Sequence, residues 1–114
     1  MTARLLTAGA VARVAAAAAL TLSAGVACGE TERELVARGQ KLFTEQGCHG
    51  CHTVGKMGTP IAKDLSTIGA THDRTHLETW LRDPAAQRPT AHMPRLELRG
   101  AEITALAAYL ASLR

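Results

Sequence analysis

The 114-residue chain predicts an all-α fold of about three main helices. Three observations carry that prediction. Apolar residues recur at helical spacing in three separate stretches, and two of these open on a capping-box pattern. No stretch alternates apolar and polar residues as a half-buried strand does. The connections are long and punctuated by glycine and proline.

The first helix begins at Thr31-Glu32-Arg33-Glu34, where Thr31 is the N-cap and the Glu34 carboxylate reaches back to it. Leu35, Gly39, Leu42, Phe43 and Gln46 then fall near one face, and Gly47 marks the stop. Thr53 to Ala70 reads as loop, because Gly55, Gly58, Pro60 and Gly69 interrupt it and no period is sustained. Thr75-His76-Leu77-Glu78 matches a second capping box. It opens a short helix carrying Leu77, Trp80 and Leu81, which ends near Asp83-Pro84 because proline disfavours helix in the residue before it. A polar loop with Pro89 leads to Met93-Pro94. Ile103, Leu106, Ala107, Leu110 and Leu113 mark the last helix, whose start at Arg99-Gly100 is a poor cap.

The N-terminus differs in kind. Residues 1–13 hold Arg4 and Arg13 and no acid, and Val14 to Ala27 is Ala-rich and uncharged. A basic start, a short apolar run and small residues at its end predict a secretory signal. The run falls short of the roughly 20 residues that cross a bilayer, and an uncleaved anchor that included Leu5 to Ala12 would bury Arg13. The expected organisation is a signal over 1–27, a short tether over 28–33 and one domain over 34–114. Without the signal 87 residues remain, a size at which a disulfide, metal or cofactor often has to staple the fold. Phe43, Trp80 and Tyr109 are the only aromatic residues, so the core is thin unless something large and flat fills it. The formal charge of +3 includes Arg4 and Arg13; beyond them, 11 basic residues face 10 acidic ones, which gives no case for a nucleic-acid partner.

The chemistry lies in Cys48-His49-Gly50-Cys51-His52. Cys-x-x-Cys-His is a haem c attachment pattern. Two thiols three positions apart at a helix end can both reach the vinyl groups on one porphyrin edge, and the next residue, His52, is then held under the iron. A zinc site would need four ligands, and no second cysteine pair exists. A redox dithiol would want a βαβ setting. A structural disulfide is the remaining alternative. Electron transfer at a His-ligated iron calls for a sixth ligand, and Met93 is the candidate. It precedes Pro94, stands 41 residues after His52 and lies just ahead of the last helix. A thioether there favours ferrous iron. Met57 is five residues from His52, too near to cross to the opposite face, and Met1 leaves with the signal. His92 is the nearest rival, while His72 and His76 are expected to face solvent.

With these features in this order, residues 34–113 resemble class I c-type cytochromes, above all the short bacterial type that includes the cytochrome c domains of haem-copper oxidase subunit II. Trp80-Leu81-Arg82-Asp83-Pro84, Met93-Pro94, Glu102-Ile103 and Ala108-Tyr109-Leu110 carry the resemblance. It implies a class I cytochrome c fold around one covalent haem c, with His52 and Met93 as axial ligands. It also implies a monomeric one-electron carrier rather than an enzyme, serving redox partners such as a membrane oxidase, a cytochrome complex or a dehydrogenase. Gly39 and Phe43 are then expected to meet the last helix near Leu106 and Tyr109, and Trp80 to pack near the haem with its indole N–H on a propionate or another acceptor. The family usually has proline before the Asp-Leu of the loop, with a carbonyl that orients the proximal histidine. Lys63 stands there, ahead of Asp64-Leu65, so the carbonyl is expected from Lys63 or from Pro60 and its neighbours. Lys56, Lys63, Arg82, Arg88, Arg95 and Arg99 fall around the haem edge in family geometry, either to dock an acidic partner or simply as solvated surface. The competing functions are a haem enzyme or gas sensor with an open sixth position, and a fixed relay in a larger oxidoreductase.

Gly25-Val26-Ala27-Cys28-Gly29 resembles a bacterial lipobox, with Gly25 where leucine is usual. Lipidation of Cys28 would hold the exported protein against a membrane on the periplasmic side. The alternative is ordinary cleavage after Ala27 or nearby.

Overall fold

The computed structural model describes residues 29–114; the signal read over 1–27 and the lipidation reading of Cys28 fall outside the described residues. Four helices follow in order: α1 (Glu32–Glu45), α2 (Arg74–Arg82), α3 (Pro84–Gln87) and α4 (Gly100–Ser112). The expected all-α class holds, and α1, α2 and α4 are the three main helices.

Helix α1 starts as its sequence predicts. The Thr31 hydroxyl accepts from Glu34 N–H (3.2 Å), and the Glu34 carboxylate accepts from Thr31 N–H (2.8 Å). Two residues of the expected tether, Glu32 and Arg33, are therefore helical. Glu30 is held as well, since its carboxylate accepts two bonds from the Arg38 guanidinium at 2.8 Å each. Arg38 also donates to the Ala101 carbonyl (3.2 Å) and so ties α1 to the start of α4. An Arg74–Glu32 ion pair ties α2 to α1.

The expected start of α2 at Thr75 needs correction. Asp73 is the N-cap, and its carboxylate accepts from His76 N–H at 2.8 Å. A charged, short carboxylate satisfies the orphan N–H groups better than a hydroxyl two residues later. The helix ends at Arg82, as expected from Pro84. Asp83 then caps the unexpected α3 by accepting from Ala86 N–H (3.1 Å), with Pro84 at the first helical position, where its missing N–H costs nothing. The segment read as loop contains a two-residue antiparallel ladder, β1 (Thr53–Val54) against β2 (Met57–Gly58), and a 3-10 turn at Ile68–Ala70. Two residues per strand are too few for alternation to show.

Helix α4 lacks a side-chain acceptor at its N-cap, Arg99. Glu102 compensates, because its carboxylate accepts from Arg99 N–H (2.8 Å) and from the Arg99 guanidinium (2.9 Å). Residues Ala105 to Leu110 are all buried, because α4 lies between α1 and α2. Small residues permit that position. A Cβ on Gly39 of α1 would overlap the Ala105 carbonyl oxygen and stand 2.7 Å from Tyr109 Cβ. One turn further along, the Phe43 ring meets Tyr109 edge-on, with centroids 5.6 Å apart. Gly39 and Phe43 thus meet α4 where the resemblance implies. Leu42, Leu77, Leu81, Ile103 and Leu106 belong to the same core, with Ile68 and Leu110.

Two outcomes follow. Gly39→Ala is expected to destabilise the protein by about 3 kcal/mol in a denaturant melt, because the clash is with backbone and not with a flexible side chain. Gly100→Ala, where an added Cβ meets nothing within 4 Å, is expected to be neutral, and equal effects at the two positions would refute the close crossing. The second outcome concerns acid. Thr31 at Glu34, Arg38 at Glu30 and Arg99 at Glu102 hold these carboxyls below the ordinary glutamate value of 4.5, and Ser66 holds Asp64 below 3.8. Depressed folded-state values mean that the unfolded chain takes up protons first. The stabilisation is present above about pH 4.5 and is lost as pH falls through the lowered values. Melting temperature against pH checks this, and a flat profile down to about pH 3 would contradict it.

Candidate haem-attachment site

Helix α1 delivers the motif directly. Its last turn closes through Gln46 N–H to the Leu42 carbonyl (2.8 Å), and Gly47 leaves the helix with φ 72°. Cys48–Gly50 form a 3-10 turn, closed by Cys51 N–H (3.2 Å) and His52 N–H (2.9 Å) on the Cys48 carbonyl. This winding brings Cys48, Cys51 and His52 together within little more than one turn. Both cysteines are free thiols, Cys48 half-buried and Cys51 exposed. Burial pushes the Cys48 thiol above its usual range. Among the described residues neither cysteine is in a disulfide. No three His, Cys, Asp or Glu side chains gather as a metal-ion site among the described residues.

His52 is half-buried, and its Nδ1 lies 2.7 Å from the Lys63 carbonyl oxygen. A carbonyl only accepts, so Nδ1 carries a proton, and in the neutral ring Nε2 presents the lone pair. The carbonyl beside His52 belongs to Lys63, where the family usually has proline, and not to Pro60. The loop holding it is stitched to the motif by a run of backbone bonds. Thr59 N–H donates to the His49 carbonyl (2.9 Å), Ala62 to Cys51 (2.7 Å) and Leu65 to Thr53 (2.9 Å). Asp64 accepts from the Ser66 hydroxyl (2.6 Å), and Ser66 Oγ accepts from Gly55 N–H (2.8 Å). Gly58 lets β2 close over the motif, because a Cβ there would overlap the His52 carbonyl oxygen. The His49 ring sits edge-on against Phe43, with centroids 4.8 Å apart.

Met93 is half-buried and packs against the core. Its Sδ accepts a hydrogen bond from Trp80 Nε1–H at 3.2 Å. An indole has one N–H, so a propionate contact would require Trp80 to release Met93. Sequence reasoning missed this pairing, although an indole N–H usually finds an acceptor when it is buried. His92 is exposed, and so is Met57, at 66 %. His76 is exposed, but His72 is half-buried and stacked on it, with ring centroids 4.3 Å apart. Burial, more than the neighbouring His76, holds His72 below its usual value. Of the basic residues expected around the edge, Arg99 is paired with Glu102, and Arg88 lies over Trp80, with its guanidinium carbon 5.9 Å from the ring centroid.

Two thiols on one turn, followed at once by an imidazole with its Nε2 free, suit a covalently held haem. The family model for cytochrome c matches residues 36–114. The chain belongs to the cytochrome c family. The family implies covalently bound haem c and electron transfer, and the helices have the class I cytochrome c arrangement. The cytochrome is also 31% identical over 94 residues to cytochrome c oxidase subunit 2 of Alkalihalophilus pseudofirmus, an alignment covering 75% of this chain and 28% of that protein. The chain thus spans less than a third of the length of the curated relative it matches. No solved structure matched it.

Because the carbonyl that orients His52 belongs to the backbone, Lys63→Ala is expected to leave the ferric and ferrous optical spectra unchanged. A shift of the main absorption band in that variant would show that the lysine side chain holds the loop.

Proposed function

We propose that this cytochrome is a one-electron carrier with one haem c bonded to Cys48 and Cys51 and with His52 and Met93 as axial ligands. The single observation that carries the reading is the Lys63 carbonyl on His52 Nδ1, which leaves Nε2 as the free donor one residue after the second thiol. Haem supplies the redox centre, iron that cycles between the ferric and ferrous states. The chain's residues do the rest. Cys48 and Cys51 prevent loss of the cofactor. The hydrogen bond from His52 Nδ1 fixes the tautomer and raises the basicity of Nε2. The Met93 thioether favours the ferrous state relative to a second histidine. Leu42, Phe43, Leu77, Leu81 and Leu106 exclude water from the interior and lower the reorganisation that each change of charge demands.

The carrier works in an exported bacterial electron-transfer chain, with residues 1–27 as the export signal and Cys28 as the lipidated anchor that keeps it on the periplasmic face of a membrane. Its partners are redox proteins of a respiratory kind, a reading that the likeness to an oxidase subunit supports. It acts as a monomer and not as an enzyme, and it binds no nucleic acid.

One preparation tests these claims. The protein is matured with haem c machinery and recovered from the membrane fraction. Its intact mass is expected to equal a chain beginning at Cys28 plus one haem and a lipid, and its ferric spectrum to show the weak far-red band of methionine ligation. Met93→Ala is expected to lose that band. Absence of covalent haem would overturn the carrier. Covalent haem without the band would overturn Met93 alone, and a mass without lipid would overturn the anchor.

A further inference from the structure

We propose that Arg88 is a positioning residue that sets the donor strength of the Met93 sulfur by acting through Trp80. The inference rests on the reading of Met93 as an axial ligand.

Three groups stand in series. The Arg88 guanidinium carbon lies 5.9 Å from the Trp80 ring centroid, within the range of a cation–π contact. The same indole donates its Nε1–H to Met93 Sδ at 3.2 Å. Arg88 is exposed, yet its backbone is fixed, because it caps α3 with its N–H on the Pro84 carbonyl (2.9 Å). Among the described residues no carboxylate forms an ion pair with it. The nearest acid in sequence, Asp83, is engaged in capping Ala86 N–H. The cation is therefore available to the indole face.

A cation over the π face draws electron density from the indole and makes its N–H a stronger donor. A stronger N–H bond withdraws density from the sulfur it touches. A thioether so depleted stabilises ferric iron less than ferrous iron, and the reduction potential rises. The contact that the Arg88 side chain makes is with the Trp80 ring, and the proposed route to the sulfur runs through that ring.

Two other roles would place Arg88 in the same position. Its aliphatic stem could simply cover Trp80, or its charge could act on the iron through space. A double-mutant cycle separates all three. The potential and the far-red ferric band are measured in wild type, Arg88→Gln, Arg88→Lys, Trp80→Phe and the Arg88→Gln/Trp80→Phe double variant. Arg88→Gln keeps a stem of similar reach without the charge. It is expected to lower the reduced-to-oxidised ratio at a fixed potential about threefold, or about 30 mV at roughly 59 mV per tenfold for a one-electron couple. The far-red band is expected to move with it. Arg88→Lys should restore more than half of the shift. In the Trp80→Phe background, which has no N–H, Arg88→Gln should change nothing further. An equal shift in both backgrounds would mean a through-space charge and overturn the proposal, as would no shift in Arg88→Gln. A wild-type protein without the far-red band would overturn the ligand reading and this proposal together. A wild-type band with no coupling in the cycle would overturn the Arg88 role alone.

Discussion

The close approach of α1 to α4 at Gly39 is the constraint on which the rest of the structure depends. With no Cβ there, α1 rests on the Ala105 carbonyl and the root of Tyr109, and the direction of its axis is set. Helix α1 has 14 residues, about 21 Å of rigid rise, so the placement at Gly39 is carried to its C-terminal end. Gly47 turns the chain out of the helix, and Cys48 follows at once. The position of the attachment turn is thus inherited from a helix crossing two turns upstream. Ala105 of α4, fully buried, makes the same allowance on the other side. Between them the two helices bring backbone close to backbone. That suits a domain with three aromatic residues and little bulk to spend on filling gaps.

What could be read from the sequence was local. The Thr31 cap, the stop at Gly47 and the Cys48–His52 turn each depend on residues within about one turn of one another, where the spacing of side chains and backbone donors is fixed by helix geometry. The features that escaped were competitions or long-range meetings. Thr75 matched the capping pattern, yet the carboxylate of Asp73, two residues earlier, caps α2. Helix α3 is one turn long and follows a proline, so it carries no period to recognise. Trp80 and Met93 are separated by 13 residues and a change of direction, and nothing in either one's surroundings names the other.

Lys63 shows why a departure from a family pattern need not disturb a site. The atom that orients His52 is a carbonyl oxygen, which every residue has. A proline at that place would add stiffness to the loop. Here the stiffness comes from the hydrogen bonds that Thr59, Ala62 and Leu65 make to the attachment segment, and from the Asp64–Ser66–Gly55 relay beside them. Selection on a backbone atom acts on the shape of the loop, and several sequences can hold one shape.

The two sides of the site are built differently. On the His52 side, successive backbone bonds bind the loop to the motif, and no single side chain decides the geometry. On the Met93 side, the residues between Pro89 and Leu98 make one backbone bond among the described residues, from Ala91 N–H to the Arg88 carbonyl (2.9 Å). Met93 is held instead by side chains, through its packing on the core and the indole N–H on its sulfur. A backbone lattice tolerates substitution and yields little. A side-chain contact of this kind contributes only about 1 kcal/mol and depends on each partner being present. In the proposed carrier the imidazole is then the constant ligand and the thioether the adjustable one. The electronic character of the centre is set where the chain is least tied down, by an aromatic ring with a cation on one face and a sulfur at its edge.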